Sequence, residues 1–236
     1  MIETPHLSVL IPALNEGRTL STVLDQVLAV DEPLEAILVD DGSTDNTWEI
    51  MSDYAQRHPR VQAIRHRHNM GKGAAVRTAL DHARGAYVIV QDADLEYHPQ
   101  EYTRLLEPVR SGHAAVVYGT RAFASHTAYS YWYVLGNRAV TTAVNILYNV
   151  YLSDMETCYK LMPRDVARSL NIEARGFDVE PEVTAKLLRL GHRIYEVPIS
   201  YTARSREEGK KLTAMDGVRA VGVLLRYRRW RPDGVV

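Results

Sequence analysis

Short apolar runs rich in β-branched residues alternate with longer stretches of helical spacing through the first half of the chain. This alternation restricts the fold more than any other feature. Residues 7–11, 36–39, 61–64, 87–90 and 115–118 are short, mainly apolar runs rich in β-branched residues, the pattern of buried strands. Between them, residues 19–30, 44–57, 73–84 and 100–111 place apolar residues at helical spacing with polar faces. Strand and helix in strict turn predict an α/β fold with a mainly parallel sheet and helices on both faces. In such sheets ligands bind beyond the carboxyl ends of the strands.

Those strand ends are polar. The first leads into Pro12, Asn15 and Glu16, the second into Asp40-Asp41-Gly42-Ser43-Thr44-Asp45, the fourth into Asp92-Ala93-Asp94-Leu95-Glu96 and the fifth into Gly119-Thr120-Arg121. Each segment taken alone also suits turns and helix caps. The fourth is the most specific, because side chains two apart on a strand point the same way, so Asp92 and Asp94 can converge on one hard cation, with Glu96 two residues on. A metal held there grips a diphosphate; the competing reading is an acidic start to a solvated loop.

After Arg121 the pattern changes. Residues 129–151 form a long helical stretch carrying Asn137 and Arg138, and its Tyr131, Trp132 and Leu135 suit either a patch facing a membrane or a partner, or ordinary packing. A helix at 181–190, a strand at 193–197 and a charged loop at 204–211 follow. Residues 214–230 read as an amphipathic helix ending in a basic, Trp-bearing cluster, suited to anionic lipid or to packing on the sheet with a solvated arginine face. Without a repeat or low-complexity linker, we expect one domain over 1–236. Residues 1–121 would form its ligand-binding half, and residues 122–236 a C-terminal elaboration.

Composition excludes several classes. Lys plus Arg is 28 against 29 Asp plus Glu, a net charge of −1, so no global basic field points to nucleic acid. A single cysteine, Cys158, excludes an intramolecular disulfide and a cysteine zinc site, and suits a reducing compartment. Residues 1–6 contain acid and proline and do not read as a signal peptide. No run reaches the roughly 18 apolar residues of a membrane span, so the expectation is a soluble or peripheral protein. Asn69-Met70-Gly71-Lys72-Gly73 lacks the spacing of a phosphate-binding P-loop, and no Gly-x-Gly-x-x-Gly follows the first strand, which argues against a dinucleotide oxidoreductase. Lys72, at a helix start, is placed either to approach phosphate or to be a solvated helix-entry lysine.

Ser8-Val9-Leu10-Ile11-Pro12-Ala13-Leu14-Asn15-Glu16, Val39-Asp40-Asp41-Gly42-Ser43 and Gln91-Asp92-Ala93-Asp94-Leu95, in this order and spacing, resemble family 2 glycosyltransferases of the GT-A fold. Gly119-Thr120-Arg121, Ser153-Asp154, Phe177-Asp178-Val179-Glu180 and Val197-Pro198-Ile199-Ser200-Tyr201, with Arg204 and Lys210, narrow the resemblance to the polyprenyl-phosphate sugar synthases, such as dolichyl-phosphate mannose synthases. It implies donor contacts at Pro12, Leu14, Glu16, Val39 and Asp41, with Asn69 and Lys72 beside them. It implies metal and diphosphate contacts at Asp92, Ala93, Asp94 and Glu96, with Mn2+ or Mg2+ as cofactor, and phosphate contacts from Arg121, Arg204 and Lys210. Leu14, Glu96 and Met155-Glu156-Thr157-Cys158-Tyr159 depart from the mannose synthase pattern of Tyr, Gln and Leu-Thr-Gly-Ser-Phe, leaving sugar and base open.

A phosphomonoester acceptor is largely a dianion at neutral pH and needs cationic positioning rather than a general base. Arg138, Arg121 and Arg204 are the expected acceptor-phosphate contacts, and Asp94, Arg121 and Asp154 the expected catalytic set. The expectation is therefore an inverting, metal-dependent transfer of a hexose from a nucleoside diphosphate, of the GDP-mannose or UDP-glucose type, to a polyprenyl or dolichyl phosphate. The protein would lie at the cytoplasmic membrane face, as a peripheral protein or with a membrane-anchoring partner. Two alternatives stay open: a soluble or glycan hydroxyl acceptor with Asp154 or Glu156 as base, and a non-catalytic nucleotide-sugar-binding module.

Overall fold

The computed structural model describes residues 6–122, 126–127, 131–203 and 214–231. The expected strands form as β1 (Leu7–Ala13), β2 (Leu34–Asp40), β3 (Val61–Arg65), β4 (Tyr87–Val90) and β5 (Val116–Thr120). A two-residue β6 (His126–Thr127) pairs with β9 (Tyr201–Thr202), apart from the main sheet. The main sheet is completed by β7 (Lys160–Pro163) and β8 (Ile194–Pro198), and its seven strands lie in the order β3-β2-β1-β4-β7-β5-β8. All its pairings are parallel except those of β7, which runs antiparallel to both β4 and β5. Because β7 runs backwards, its first residue, Lys160, is the one nearest the carboxyl end of β5, pairing with Tyr118 at the middle of that strand. A cationic side chain thus enters the functional rim from a strand the sequence reading did not contain.

Helices α1 (Leu20–Leu28), α2 (Thr47–Arg57) and α4 (Tyr102–Arg110) cover one face, burying Leu24, Met51 and Leu105 against Val9, Ile11 and Leu38. On the other face α3 (Lys72–His82), α6 (Arg164–Ser169) and α7 (Val179–Arg189) bury Val76, Ala167 and Val183 against Leu10, Ile37 and Val39. Alternate residues of β1 and β2 feed the two cores, so both strands are buried along their whole length. α2 begins later than expected, since Thr44 to Asn46 remain in the loop and Asp45 Oδ1 accepts the Thr47 N–H at 3.0 Å. The helix expected over 100–111 is split, with a 3₁₀ turn at Pro99–Glu101 leading into α4.

A third layer is formed by α5 (Tyr131–Tyr148) and α8 (Ala214–Tyr227), which close over α7 with Val140, Val144, Ala185, Ala220 and Leu224. Sandwiched between sheet and outer helices, α7 is buried from Val179 through Leu187, including Glu180, Glu182 and Lys186. Such charges persist only when paired, and Lys186 meets Glu182 at 2.6 Å. α5 and α8 run in the same direction: Gly217 lies against Val140, and the Tyr148 hydroxyl donates to the Leu224 carbonyl at 2.7 Å. The C-terminal helix is therefore packed, and Trp230 lies over the Lys186 ammonium.

Candidate functional site

The loops after β1 and β2 are stitched together by short polar side chains. Asn15, in the left-handed region at φ 58°, donates its N–H to Ser43 Oγ at 2.9 Å and accepts the Thr44 N–H at 2.8 Å. The Glu16 N–H reaches Thr47 Oγ1 at 2.9 Å. Asp41 is buried and accepts from His66 Nδ1 at 2.7 Å and from the Met70 and Gly71 N–H groups at 2.9 and 2.7 Å. It fixes the loop carrying the exposed Asn69 and delivers Lys72 to the start of α3. Gly71 permits this course: its φ is 93°, and an added Cβ would lie 2.1 Å from the Arg175 carbonyl oxygen. Pro12 and Val39 are buried register partners below these loops, and Leu14 is partly exposed at the rim.

The acidic turn after β4 is held from underneath. Gln91 is buried, its Oε1 accepting the hydroxyls of Tyr102 and Tyr159 at 2.6 Å each, while its Nε2 donates to the Asp92 carbonyl at 2.8 Å. Thr19 Oγ1 donates to the Ala93 carbonyl at 2.6 Å, tying the turn to the entrance of α1. Leu95 has φ 62°, costly for a branched side chain, and Asp94 Oδ1 accepts the Glu96 N–H at 3.1 Å. Glu96 accepts the Tyr201 hydroxyl at 2.8 Å. Among the described residues no three His, Cys, Asp or Glu groups form a metal cage. Asp92 and Asp94 still suit a hard cation, because an ion bridging a diphosphate needs only one or two protein carboxylates.

Behind the turn lies a chain of alternating charge. Lys72 Nζ stands 2.8 Å from Asp92 and 3.4 Å from Glu180 of α7, and Glu180 also binds Lys160. Burial works against the Lys72 charge, but Asp92, Cys158 and Glu180 outweigh it and hold its pKa well above the usual value. Cys158 is buried beside this chain, and burial pushes its thiol up.

The end of β5 supplies the other cation. Arg121 makes a two-pronged contact with Asp154, Nε to Oδ2 at 2.6 Å and Nη2 to Oδ1 at 2.8 Å, with its guanidinium over the Tyr201 ring. Asn137 Nδ2 of α5 donates to Asp154 Oδ1 at 3.1 Å, and Arg138, the expected acceptor-phosphate contact, is exposed one position on. Burial would raise the Asp154 carboxyl, yet the charge and hydrogen bonds of Arg121 hold it below the usual range. Glu156 contrasts with it two residues away. Its Oε1 is buried without a hydrogen-bond partner, and burial pushes its pKa up to about 7.

Thus the structure brings Glu16, Asp41, Lys72, Asp92, Asp94, Arg121 and Asp154 to one rim. Arg204 and Lys210 lie outside the described residues. Sequence reasoning gave no role to Gln91, Asn137, Lys160, Glu180 or Tyr201. Glu180 and Tyr201 sat inside motifs already singled out, but only their ion pair and hydroxyl contact show what they do.

An α/β sheet with one reversed strand, carrying acids and cations along its carboxyl rim, is the GT-A type of fold. The chain belongs to glycosyl transferase family 2, whose family model matches residues 8–170. It is 30% identical over 219 residues to a dolichyl-phosphate beta-glucosyltransferase of Trichomonas vaginalis, covering 83% of this chain and 64% of that protein. It is 29% identical over 210 residues to the polyprenol monophosphomannose synthase of Mycolicibacterium smegmatis, covering 85% of this chain and 79% of that one. The chain therefore spans a little under two thirds of the first relative's length. Among solved structures, glucosyl-3-phosphoglycerate synthase from Mycobacterium tuberculosis, in complex with Mn2+, UDP and glucosyl-3-phosphoglycerate, superposes with a TM-score of 0.71 at 22% identity, covering 98% of this chain and 82% of that one. This last likeness bears on the fold.

Proposed function

We propose that this protein is an inverting hexosyltransferase that moves a hexose from a nucleoside diphosphate to a polyprenyl phosphate. The observation that carries this reading is the Arg121–Asp154 pair: Asp154, the first candidate for a general base, is held ionised and bound on both oxygens by a cation. A group so engaged is a poor proton acceptor. An acceptor already ionised needs none, and a guanidinium at the end of β5 suits a phosphate. Similarity to relatives named for dolichyl-phosphate and polyprenol substrates supports the same choice.

On the donor side, Asp92 and Asp94 would hold a divalent ion, Mn2+ or Mg2+, which when bound would neutralise the departing diphosphate. Lys72 supplies a further fixed positive charge beside Asp92. Direct displacement by the acceptor oxygen inverts the anomeric centre. No helix among the described residues is long and apolar enough to cross a membrane. The outer helices instead expose apolar side chains, Tyr131 and Leu135 on α5 and Met215 and Val218 on α8, with the exposed Arg138 and Arg219 on the same helices. Apolar residues with basic neighbours form the kind of surface that meets anionic lipid, and it would present the site to a membrane-bound acceptor.

The uncommitted Glu156 keeps a second reading in view, in which it serves as base toward a hydroxyl acceptor. The deciding experiment offers UDP- and GDP-hexoses with Mn2+ or Mg2+ and either a short polyprenyl phosphate or the matching polyprenol. Product from the phosphate alone is expected; product from the alcohol alone would overturn the proposal.

A further inference from the structure

Glu156 lies in a turn whose other members are nearly all pinned. The Ser153 and Asp154 N–H groups donate to Glu196 of β8 at 2.9 and 3.1 Å, and the Met155 N–H to Thr141 Oγ1 at 3.2 Å. Beyond it, Thr157 Oγ1 donates to the Gly119 carbonyl at 2.6 Å, and the Cys158 N–H to the Tyr97 hydroxyl at 3.0 Å. These bonds hold the turn between Arg121 and the acidic Asp92 to Glu96 segment. Within this fixed frame, Glu156 Oε1 is buried and unpaired, and so is Asn137 Oδ1 across Asp154. Unpaired buried oxygens are costly, and two beside one ion pair mark a place where a ligand completes the hydrogen bonding.

The charges facing Glu156 come from every element around it: Arg121 from the end of β5, Lys160 from β7, Glu180 from α7 and Asp154 from its own turn. The cations among them are already paired, Arg121 with Asp154 and Lys160 with Glu180, and beyond them Lys72 with Asp92. A phosphate dianion arriving here meets cations that are each partly neutralised. An ionised Glu156 would repel it, whereas a protonated one would offer it a hydrogen bond. Burial already favours the neutral form, opposed by Lys160 and Arg121 and reinforced by Glu180 and Asp154, and the dianion adds to the same side.

Resting on the phosphate-acceptor reading, we infer that Glu156 meets the acceptor as a carboxylic acid, donating its proton in a hydrogen bond to a phosphate oxygen and selecting phosphate over hydroxyl acceptors. In the transfer, another oxygen of that phosphate forms the bond to the anomeric carbon. The bond from that carbon to the donor diphosphate breaks, and its electron pair leaves with the diphosphate. The proton stays on Glu156. A hydroxyl acceptor would present its own proton to the same oxygen and would need Glu156 ionised.

The test measures kcat and acceptor KM from about pH 5.5 to 9 for the full chain with nucleoside diphosphate hexose, Mn2+ and a short polyprenyl phosphate. Wild type, E156Q and E156L are compared, with donor affinity by titration confirming a folded donor site. Wild type is expected to show an acceptor KM that rises on the alkaline side. E156Q, whose amide also donates, should keep measurable transfer and lose that rise, while E156L should raise acceptor KM about 10-fold with donor affinity retained. Collapse of kcat in E156Q at unchanged acceptor KM would make Glu156 a base and overturn the inference, as would a pH profile unmoved in both variants. Wild-type transfer to an alcohol but not to the lipid phosphate would overturn the underlying function itself, whatever the variants do.

Discussion

The two rims that we assign to the donor and to the acceptor are held by different chemistry. Around β1, β2 and β4 the loops are held by hydrogen bonds, many of them between neutral side chains and backbone groups: the Thr44 N–H donates to Asn15, Thr19 donates to the Ala93 carbonyl and Gln91 to the Asp92 carbonyl. Around β5, β7 and α7 the work falls to buried ion pairs, Arg121 with Asp154 and Lys160 with Glu180. The first kind of rim leaves one buried oxygen without a hydrogen bond, Asp40 Oδ2, and Arg65 answers it with an ion pair at 3.0 Å. The second leaves Asn137 Oδ1 and Glu156 Oε1 unpaired. On the proposed assignment, the donor rim is preorganised, while the acceptor side would complete its hydrogen bonding with the acceptor.

The largest effects should come where the two regions meet. Replacing Asp94 by Asn removes a carboxylate from the proposed metal grip without disturbing the turn, since the amide oxygen can still accept the Glu96 N–H. Turnover should fall ~10²- to 10³-fold, with metal-dependent donor binding lost in calorimetry; unchanged rate and affinity would remove Asp94 from the metal site. Arg121→Lys should cost less, about 10²-fold in kcat over acceptor KM, because lysine keeps the charge and loses the two-pronged geometry. If donor affinity fell instead, the division between the two sides would be wrong.

How much of this was readable from sequence divides along the same line. The donor rim is local: Asn15, Asp41 and the Asp92 to Glu96 turn each follow a mainly apolar strand, so strand, turn and acid could be read together. The acceptor side is not. β7 is four residues long, begins with Lys160 and ends with Pro163, so no apolar run announces it. Glu180 lies 20 positions from Lys160, and Asp154 lies 33 from Arg121. Nothing in either neighbourhood tells a buried, paired charge from a solvated one. Asn137 illustrates the cost: nothing in the sequence of the long helix says that Asn137 meets Asp154, while its neighbour Arg138, 100° round the helix, is exposed.

Stability against pH sharpens the comparison within a single turn, because Asp154 and Glu156 are shifted in opposite directions. The folded-state pKa of Asp154 is depressed, so its contribution is present above the ordinary carboxylate value and is lost as pH falls through the lower folded one. That of Glu156 is raised, so its contribution is present below the ordinary value and is lost as pH rises toward about 7. Asp154→Asn should therefore destabilise the fold by about 3 to 5 kcal/mol at neutral pH and flatten the acid limb of a urea-melt profile. E156Q should flatten the limb between about pH 4.5 and 7 and leave the acid limb alone. Identical profiles for the two variants would show that the turn titrates as a unit and that the contrast between them is false.

The smallest effect expected belongs to the outer helices, and it isolates presentation of the acceptor from chemistry. Met215 and Val218 are 58% and 67% exposed on α8, so replacing both with serine removes apolar surface without opening the core beneath, where Ala220 and Leu224 pack. Stability should stay within about 0.5 kcal/mol. Each side chain loses at most about 1.5 to 3 kcal/mol of transfer energy on leaving a lipid interface, and only part of it is realised in a shallow contact. Binding to vesicles containing anionic lipid should then weaken a few-fold, and transfer to vesicle-borne polyprenyl phosphate should fall in parallel. Transfer to a short, water-soluble polyprenyl phosphate should not change. A loss on the soluble acceptor as well would mean that α8 shapes the catalytic rim, making the outer helices part of the acceptor side proper rather than its means of reaching the membrane.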